Sequence, residues 1–348
     1  MLMVSVRQPG VLAALGAALL FGAGTPLAKL LLNTVSPWML AGLLYLGSGI
    51  ALTLYRFVSQ APAVKLPRHE VIWFAGAVAA GGIVGPVLLM LGLAGMPASG
   101  ASLLLNAEGV FTALLAWFVF KENFDRRIAR GMLAIVAGAV VLSWNGEASF
   151  AETWPTVAIL GACLAWGVDN NLTRKVSLSD ATWIASIKGL VAGTVNLSIA
   201  LLMGMSWPPL PNVLSAMMVG LLAYGVSLSL FVLALRHLGT ARTGAYFSVA
   251  PFFGAVLAVL MGEAITMPLL AAGVLMAIGT WLHLTERHKH EHTHEQILHD
   301  HEHVHDEHHQ HAHDSPIAPG VKHRHSHQHV LLTHAHLHFP DAHHRHRH

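Results

Sequence analysis

Residues 1–284 hold only 23 aspartate, glutamate, lysine and arginine residues, and long apolar runs fill the space between them. A chain so poor in charge cannot cover itself with a water-compatible surface, so lipid is its expected solvent. Ten runs are near the length that crosses a hydrocarbon core of about 30 Å. They are 11–32, 37–56, 71–93, 98–120, 127–144, 154–174, 181–204, 213–235, 241–262 and 267–284. The first begins after Arg7 in the manner of a signal peptide, but it continues to Leu32 without a small-x-small exit, so it is read as an uncleaved helix. The expected fold class is an all-α polytopic membrane protein.

Basic residues set the expected orientation. Arg7, Arg56, Lys65, Arg68, Lys121, Arg126, Arg127, Arg130, Arg174, Lys175, Arg236, Arg242, Arg287 and Lys289 all fall on one side of this ten-span arrangement. The other side has Lys29. Trp38, Trp144, Trp154 and Trp207 cluster at that second side, as an aromatic belt does. Both termini are therefore expected in the cytoplasm, with the body in a membrane, read as a bacterial inner membrane. A net charge of +2 gives no reason to expect nucleic acid. The single cysteine, Cys163, lies in an apolar run and reads as a small buried residue.

Of 26 histidines, 23 lie between Thr285 and His348. Many alternate with other residues: His288, His290, His292 and His294; His299, His301, His303 and His305; His323, His325, His327 and His329. Imidazole is a common ligand for zinc, copper, nickel and cobalt. The segment has few apolar residues, and acidic residues stand among the histidines, so it is expected to be a disordered metal-binding tail. Below about pH 6.5 the same imidazoles would charge together.

The chain resembles itself. Leu15-Gly16-Ala17-Ala18-Leu19-Leu20-Phe21-Gly22 reads against Leu160-Gly161-Ala162-Cys163-Leu164-Ala165-Trp166-Gly167, with five of the eight positions identical. Lys29 then matches Arg174, and Val110-Phe111 through Glu122 reads against Pro251-Phe252 through Glu263. Five spans per repeat force the second to enter from the opposite side, an arrangement found in secondary transporters with a site between the halves. Expected boundaries are a short N-terminus at 1–10, a first repeat at 11–144, an external linker at 145–153, a second repeat at 154–284 and the tail at 285–348.

At this point the chain resembles the drug/metabolite transporter superfamily in its EamA branch. The carrying residues are Leu20 to Lys29, Leu114-Leu115-Ala116-Trp117 running to Glu122, and Ala245-Tyr246-Phe247-Ser248-Val249-Ala250-Pro251 running to Gly262-Glu263. The resemblance implies ten helices and secondary active transport, usually export and often driven by protons. It implies no particular substrate. The family's first repeat usually has a proline on its fourth span, as Pro251 stands on the ninth, and here Asn106 to Phe111 puts a glycine, Gly109, there with a carboxylate, Glu108, beside it.

Ionisable groups within a span are functional candidates. Glu108 sits near the middle of the fourth run, where it can bind a cation, carry a proton or exchange the two. Asp169 and Lys188 lie at similar depth on consecutive runs, so a structural ion pair stands beside a transport role. Asn106, Asn170 and Asn196 offer amides to line a cavity or to join helices. Thr25 and Pro26 mark a kink or broken helix, and Gly85, Pro86 and Pro251 are further hinge candidates. Glu122 and Glu263 read as capping groups, and Lys29 as a side chain that reaches the headgroups.

The leading expectation is a proton-coupled exporter of a divalent transition metal, nickel or cobalt before zinc. The alternative keeps the fold and moves a small organic metabolite or amino acid, with the tail as buffer or regulator. A third reading is a membrane metal sensor without transport. No GxSxG, HExxH or paired-aspartate motif supports an enzyme. No cofactor is required in any of these readings, and a homodimer is left open.

Overall fold

The computed structural model describes residues 9–64, 66–119, 126–143, 150–173, 176, 180–238 and 246–284, and four short segments of the tail. Two units separate, Met1–Glu286 and Arg287–His348.

In the first unit every regular element among the described residues is helical. In chain order they are α1 (Pro9–Leu31), α2 (Pro37–Val58), α3 (Arg68–Ala77), a π-helical turn at Val78–Val84, α4 (Gly85–Gly95), α5 (Ala98–Leu104), α6 (Ala107–Phe118), α7 (Arg126–Ser143), α8 (Phe150–Thr173), α9 (Ala181–Leu202), α10 (Leu210–Gly220), a second π-helical turn at Leu221–Val226, α11 (Ser227–Leu238), α12 (Ala250–Leu260) and α13 (Met267–Leu284). Among the described residues six helical stretches are long and apolar enough to cross a membrane: Pro9–Leu31, Pro37–Val58, Val71–Gly95, Ala98–Leu115, Thr182–Leu202 and Leu210–Phe231.

Sequence chemistry sets several of the ends. Pro37 starts α2, where its missing N–H is harmless. Asp180 caps α9, accepting from Thr182 N at 2.8 Å and Trp183 N at 3.0 Å. Gly262 ends α12 in the left-handed region at φ 106°, which only glycine enters without strain. That turn aims Glu263 back at the start of α5, where its two oxygens accept from Ala98 N (2.6 Å) and Ser99 N (2.8 Å). Glu263 therefore caps a helix, though not its own. Glu122 lies outside the described residues.

The helices pack as two interleaved halves. α1 lies against α11 and α12, and in the other half α8 lies against α4 and α6. α2 packs on α9, and α7 on α13. Glycines show the same exchange at close range. A methyl group on Gly138 would meet Met276 and Ala272 of α13, and one on Gly279 would meet Gly131 and Ile135 of α7. The pseudo-two-fold expected from the repeated sequence is thus built into the packing.

The surface is apolar and part of the interior is polar. Leu12, Leu54, Phe57, Val140, Leu202 and Val274 are exposed, whereas Ser48, Ser99, Asn106, Asp169 and Asn196 are buried. That distribution suits a lipid solvent.

The tail differs from the expected disorder over four segments. β1 (Lys289–His294) pairs antiparallel with β4 (Leu332–Leu337), and β2 (Leu298–His303) with β3 (His323–Gln328). Alternation of histidine with other residues has the two-residue period of a strand, so the pattern read as a ligand motif also fits a ladder. The backbone register sets His299, His301 and His303 opposite His327, His325 and His323, and His290 and His292 opposite His336 and His334.

Candidate functional site

Three consecutive residues of α8 organise the centre of the first unit. Each residue turns about 100° from the last on a helix, so Asp169 meets α9 whereas Asn170 and Asn171 both reach α6. Asp169 receives Lys188 Nζ of α9 on both oxygens, at 2.6 and 2.7 Å, and Thr173 Oγ1 at 2.8 Å. Both partners of the pair are largely buried. Asn170 donates to Glu108 Oε1 at 2.8 Å and to Thr112 Oγ1 at 3.2 Å. Asn171 donates to the carbonyls of Gly167 (2.8 Å) and Thr112 (3.2 Å), which joins α8 to α6.

Glu108 stands just past a break in its span. α5 stops at Leu104 and α6 begins at Ala107, with Glu108 N bonded to Leu105 O at 3.1 Å. The carboxylate lies in the first turn of α6, where the helix dipole favours negative charge. It is enclosed by protein yet keeps solvent-reachable surface, and Asn170 is exposed beside it. Asp169 and Lys188 are within electrostatic range of Glu108.

Asn106 and Asn196 are turned elsewhere. Asn106 Nδ2 donates to Leu103 O at 2.9 Å, and its Oδ1 accepts from Thr280 Oγ1 at 3.2 Å. It thus secures the break in the span and ties it to α13. Asn196 donates to Gly82 O at 3.3 Å and Ile83 O at 3.5 Å in the first π turn.

That π turn has a local cause. Pro86 has no N–H, so the carbonyls one turn before it lose a helical donor. Side chains supply the replacement. Gly81 O accepts from Tyr45 Oη and from Trp166 Nε1, both at 2.9 Å. Asp169 lies directly against Gly81, where any Cβ would meet its carboxylate. The hinge expected at Gly85-Pro86 is therefore a wide turn held by polar contacts. No proline stands in the corresponding place after the second π turn, and we have no local account of that one.

A series of ring contacts forms an aromatic wall. Phe21 lies 5.8 Å from Tyr224 and 5.4 Å from Phe247, Phe231 lies 4.9 Å from Phe247, and Tyr45 lies 5.5 Å from Tyr224, between ring centroids. Repeat alignment explains the division. Phe21 occupies the place of Trp166, and Tyr224 the place of Gly81, each fourth in its π turn. Extending the match of Phe111 with Phe252 sets Phe247 against Asn106 and Val249 against Glu108. One half of the two-fold carries the polar version of the contacts and the other carries the aromatic version. Sequence reasoning gave these rings to packing. Their equivalence to Trp166 and Asn106 was the available signal.

Of the kink or break expected at Thr25-Pro26, a break is not seen: α1 runs through Pro26. Pro26 removes the donor to Gly22 O, and α12 approaches that carbonyl at Gly254. Lys29 does not reach outward. Its Nζ donates to Leu93 O (2.7 Å) and Ala94 O (3.1 Å) at the end of α4, where a cation suits the dipole. Pro251 stands in the first turn of α12, after a turn at Val249. Of the tail histidines, His288, His305 and His329 lie outside the described residues. His290, His292 and His294 lie in β1, His299, His301 and His303 in β2, and His323, His325 and His327 in β3.

A helical body with an apolar surface, built of two interleaved repeats, is the architecture of a secondary transporter. The family model for EamA-like transporters matches residues 8–144 and 153–285, and the chain belongs to that family. The chain is 26% identical over 300 residues to an uncharacterized transporter of Methanothermobacter thermautotrophicus, covering 79% of this chain and 86% of that one. It is 27% identical over 298 residues to a protein of Salmonella typhimurium named as a probable amino-acid metabolite efflux pump, covering 80% and 95%. A solved crystal structure superposes with a TM-score of 0.59 at 18% identity, over 80% of this chain and 96% of the other, which shows a shared fold.

Proposed function

We propose that the protein is a secondary active exporter of small organic solutes that carry an amine on an apolar body, amino-acid metabolites being the class. The observation that carries this reading is a part-exposed carboxylate within a span, Glu108 held by Asn170, in electrostatic range of Tyr45, whose ring packs on Tyr224. The carboxylate is an acceptor for an ammonium group, and the rings of Phe21, Tyr45, Tyr224 and Phe247 offer apolar surface to the rest of the solute. The name of the Salmonella relative agrees. Glu108 then exchanges a proton for the cationic head, which couples export to a proton gradient. The body spans a membrane ten times, with both termini in the cytoplasm as the basic residues direct.

A second reading has one observation in its favour. The tail's histidines form alternating series suited to nickel, cobalt or zinc, so a divalent metal is bound there as cargo or as a regulator. Among the described residues no three His, Cys, Asp or Glu side chains converge to hold a metal within the body. What the body does offer is a carboxylate, amides and rings, which favours the organic cargo.

The test is uptake into liposomes carrying the purified chain, under an imposed pH gradient. The probes are labelled phenylalanine, phenylethylamine, 3-phenylpropionate and nickel. Movement of the two amines alone is the expected result. Nickel moving alone, or phenylpropionate moving as fast as the amines, sinks the reading.

A further inference from the structure

We infer that Tyr45 is a positioning residue that ties the two π turns together, so that the two turns rearrange as one. α2 and α9 cross where the backbones of Gly49 and Gly189 nearly touch, and Tyr45 O abuts Gly189 there. Tyr45 thus sits at the crossing of the two repeats. Its hydroxyl donates to Gly81 O in the first π turn at 2.9 Å. Its ring lies 5.5 Å from Tyr224 in the second. Gly81 and Tyr224 are equivalent residues of the two turns, so one side chain holds the same point of both.

The flanking contacts support a paired device. Each π turn presses on the crossing helices through a glycine: a methyl on Gly82 would meet Ala192, and one on Gly225 would lie beside Ser48. A π turn carries one residue more per turn than an α-helix needs, so it can shift register at small cost. Three outside donors, Tyr45, Trp166 and Asn196, hold the first turn. Tyr45 alone among them also has a described ring contact in the second turn. A shift that releases Gly81 O frees the Tyr45 ring, and so removes the packing that steadies Tyr224.

This inference rests on the transporter reading, yet its test needs no solute. Amide hydrogen exchange of the full chain in lipid nanodiscs is followed at 78–84 and 221–226. Tyr45→Phe keeps the ring and removes the hydroxyl. It should speed exchange about fivefold, the effect of one hydrogen bond, in both turns. Trp166→Phe removes the other donor to the same carbonyl but has no ring on the second turn, so it should speed exchange in 78–84 only. Confinement of the Tyr45→Phe effect to 78–84 would overturn the inference. So would an equal effect of Trp166→Phe on 221–226, because that would mark general loosening. The α7–α13 pair should be unchanged in both variants.

Discussion

Lys188 and Asp169 form a two-oxygen ion pair at 2.6 and 2.7 Å, one residue along α8 from the amide that holds Glu108. The pair is largely buried and further held by Thr173. Its mirror in the first repeat is Gly24, which packs on Ala223. The charges therefore belong to one half only. Removing one partner leaves an unpaired buried charge, which costs about 3–5 kcal/mol. Asp169→Asn should lower the melting temperature of the detergent-purified chain sharply, and Asp169→Asn with Lys188→Met should recover most of the loss. Equal melting of the single and double variants would show that the pair is not coupled.

Glu263 joins the end of α12 to the start of α5 through two amides. Glu263→Ala should destabilise by roughly 1–2 kcal/mol, as the loss of a charged cap does. Glu263→Gln keeps an acceptor oxygen and should cost less. Chemical denaturation in micelles measures both. The opposite ranking would mean that capping is not what Glu263 does.

Asp180, which lies outside the membrane spans and pairs with Arg56, carries a pH dependence. Burial pushes the Asp180 carboxyl up, but hydrogen bonds from Thr182, Arg56 and Trp183 N, with the Arg56 charge, outweigh it and hold it below the usual range. A depressed pKa gives stability that is present above the unfolded value of about 3.9 and lost as pH falls through the folded value. Asp180→Asn keeps a good cap and removes the charge, so it should cost only about 0.5 kcal/mol at pH 7, the pair being partly exposed. The difference from wild type should begin to shrink as pH falls below about 4 and vanish only below the folded value. A difference that grows on acidification would contradict the assignment.

The aromatic wall predicts a graded effect on affinity. Phe247→Ala should weaken binding of phenylalanine about tenfold, as loss of a buried ring contact does. Leucine binding should weaken less, since an aliphatic body gains less from stacking. Titration calorimetry on the reconstituted chain reads both. An equal loss for the two solutes would assign Phe247 to packing.

Much of the architecture was legible because the repeats keep local identity at close-packed points. Gly22 and Gly167, matched in the sequence, are the residues at which α1 meets α12 and α8 meets α6. Glu108, Asp169 and Lys188 were legible because charge in an apolar run is rare. For the asparagines the sequence left two uses open, lining a cavity or joining helices. Depth in the sequence cannot tell a side chain that lines a crevice from one that satisfies a nearby carbonyl, and Asn106 and Asn196 do the second. Tyr45 and the aromatic wall were hidden because a ring in a membrane span reads as packing until its partner is seen. Pro86 was visible as a hinge candidate, but the carbonyls it frees were not.

The central claim is that Glu108 holds the amine of an organic solute and releases it by taking a proton. The most direct measurement is phenylalanine transport by wild type and Glu108→Gln in liposomes, with and without a pH gradient. The account predicts gradient-driven accumulation by wild type, and a loss of at least about a hundredfold in the variant, the scale at which a positioned proton carrier contributes. Gradient-driven accumulation by Glu108→Gln at the wild-type rate would contradict it.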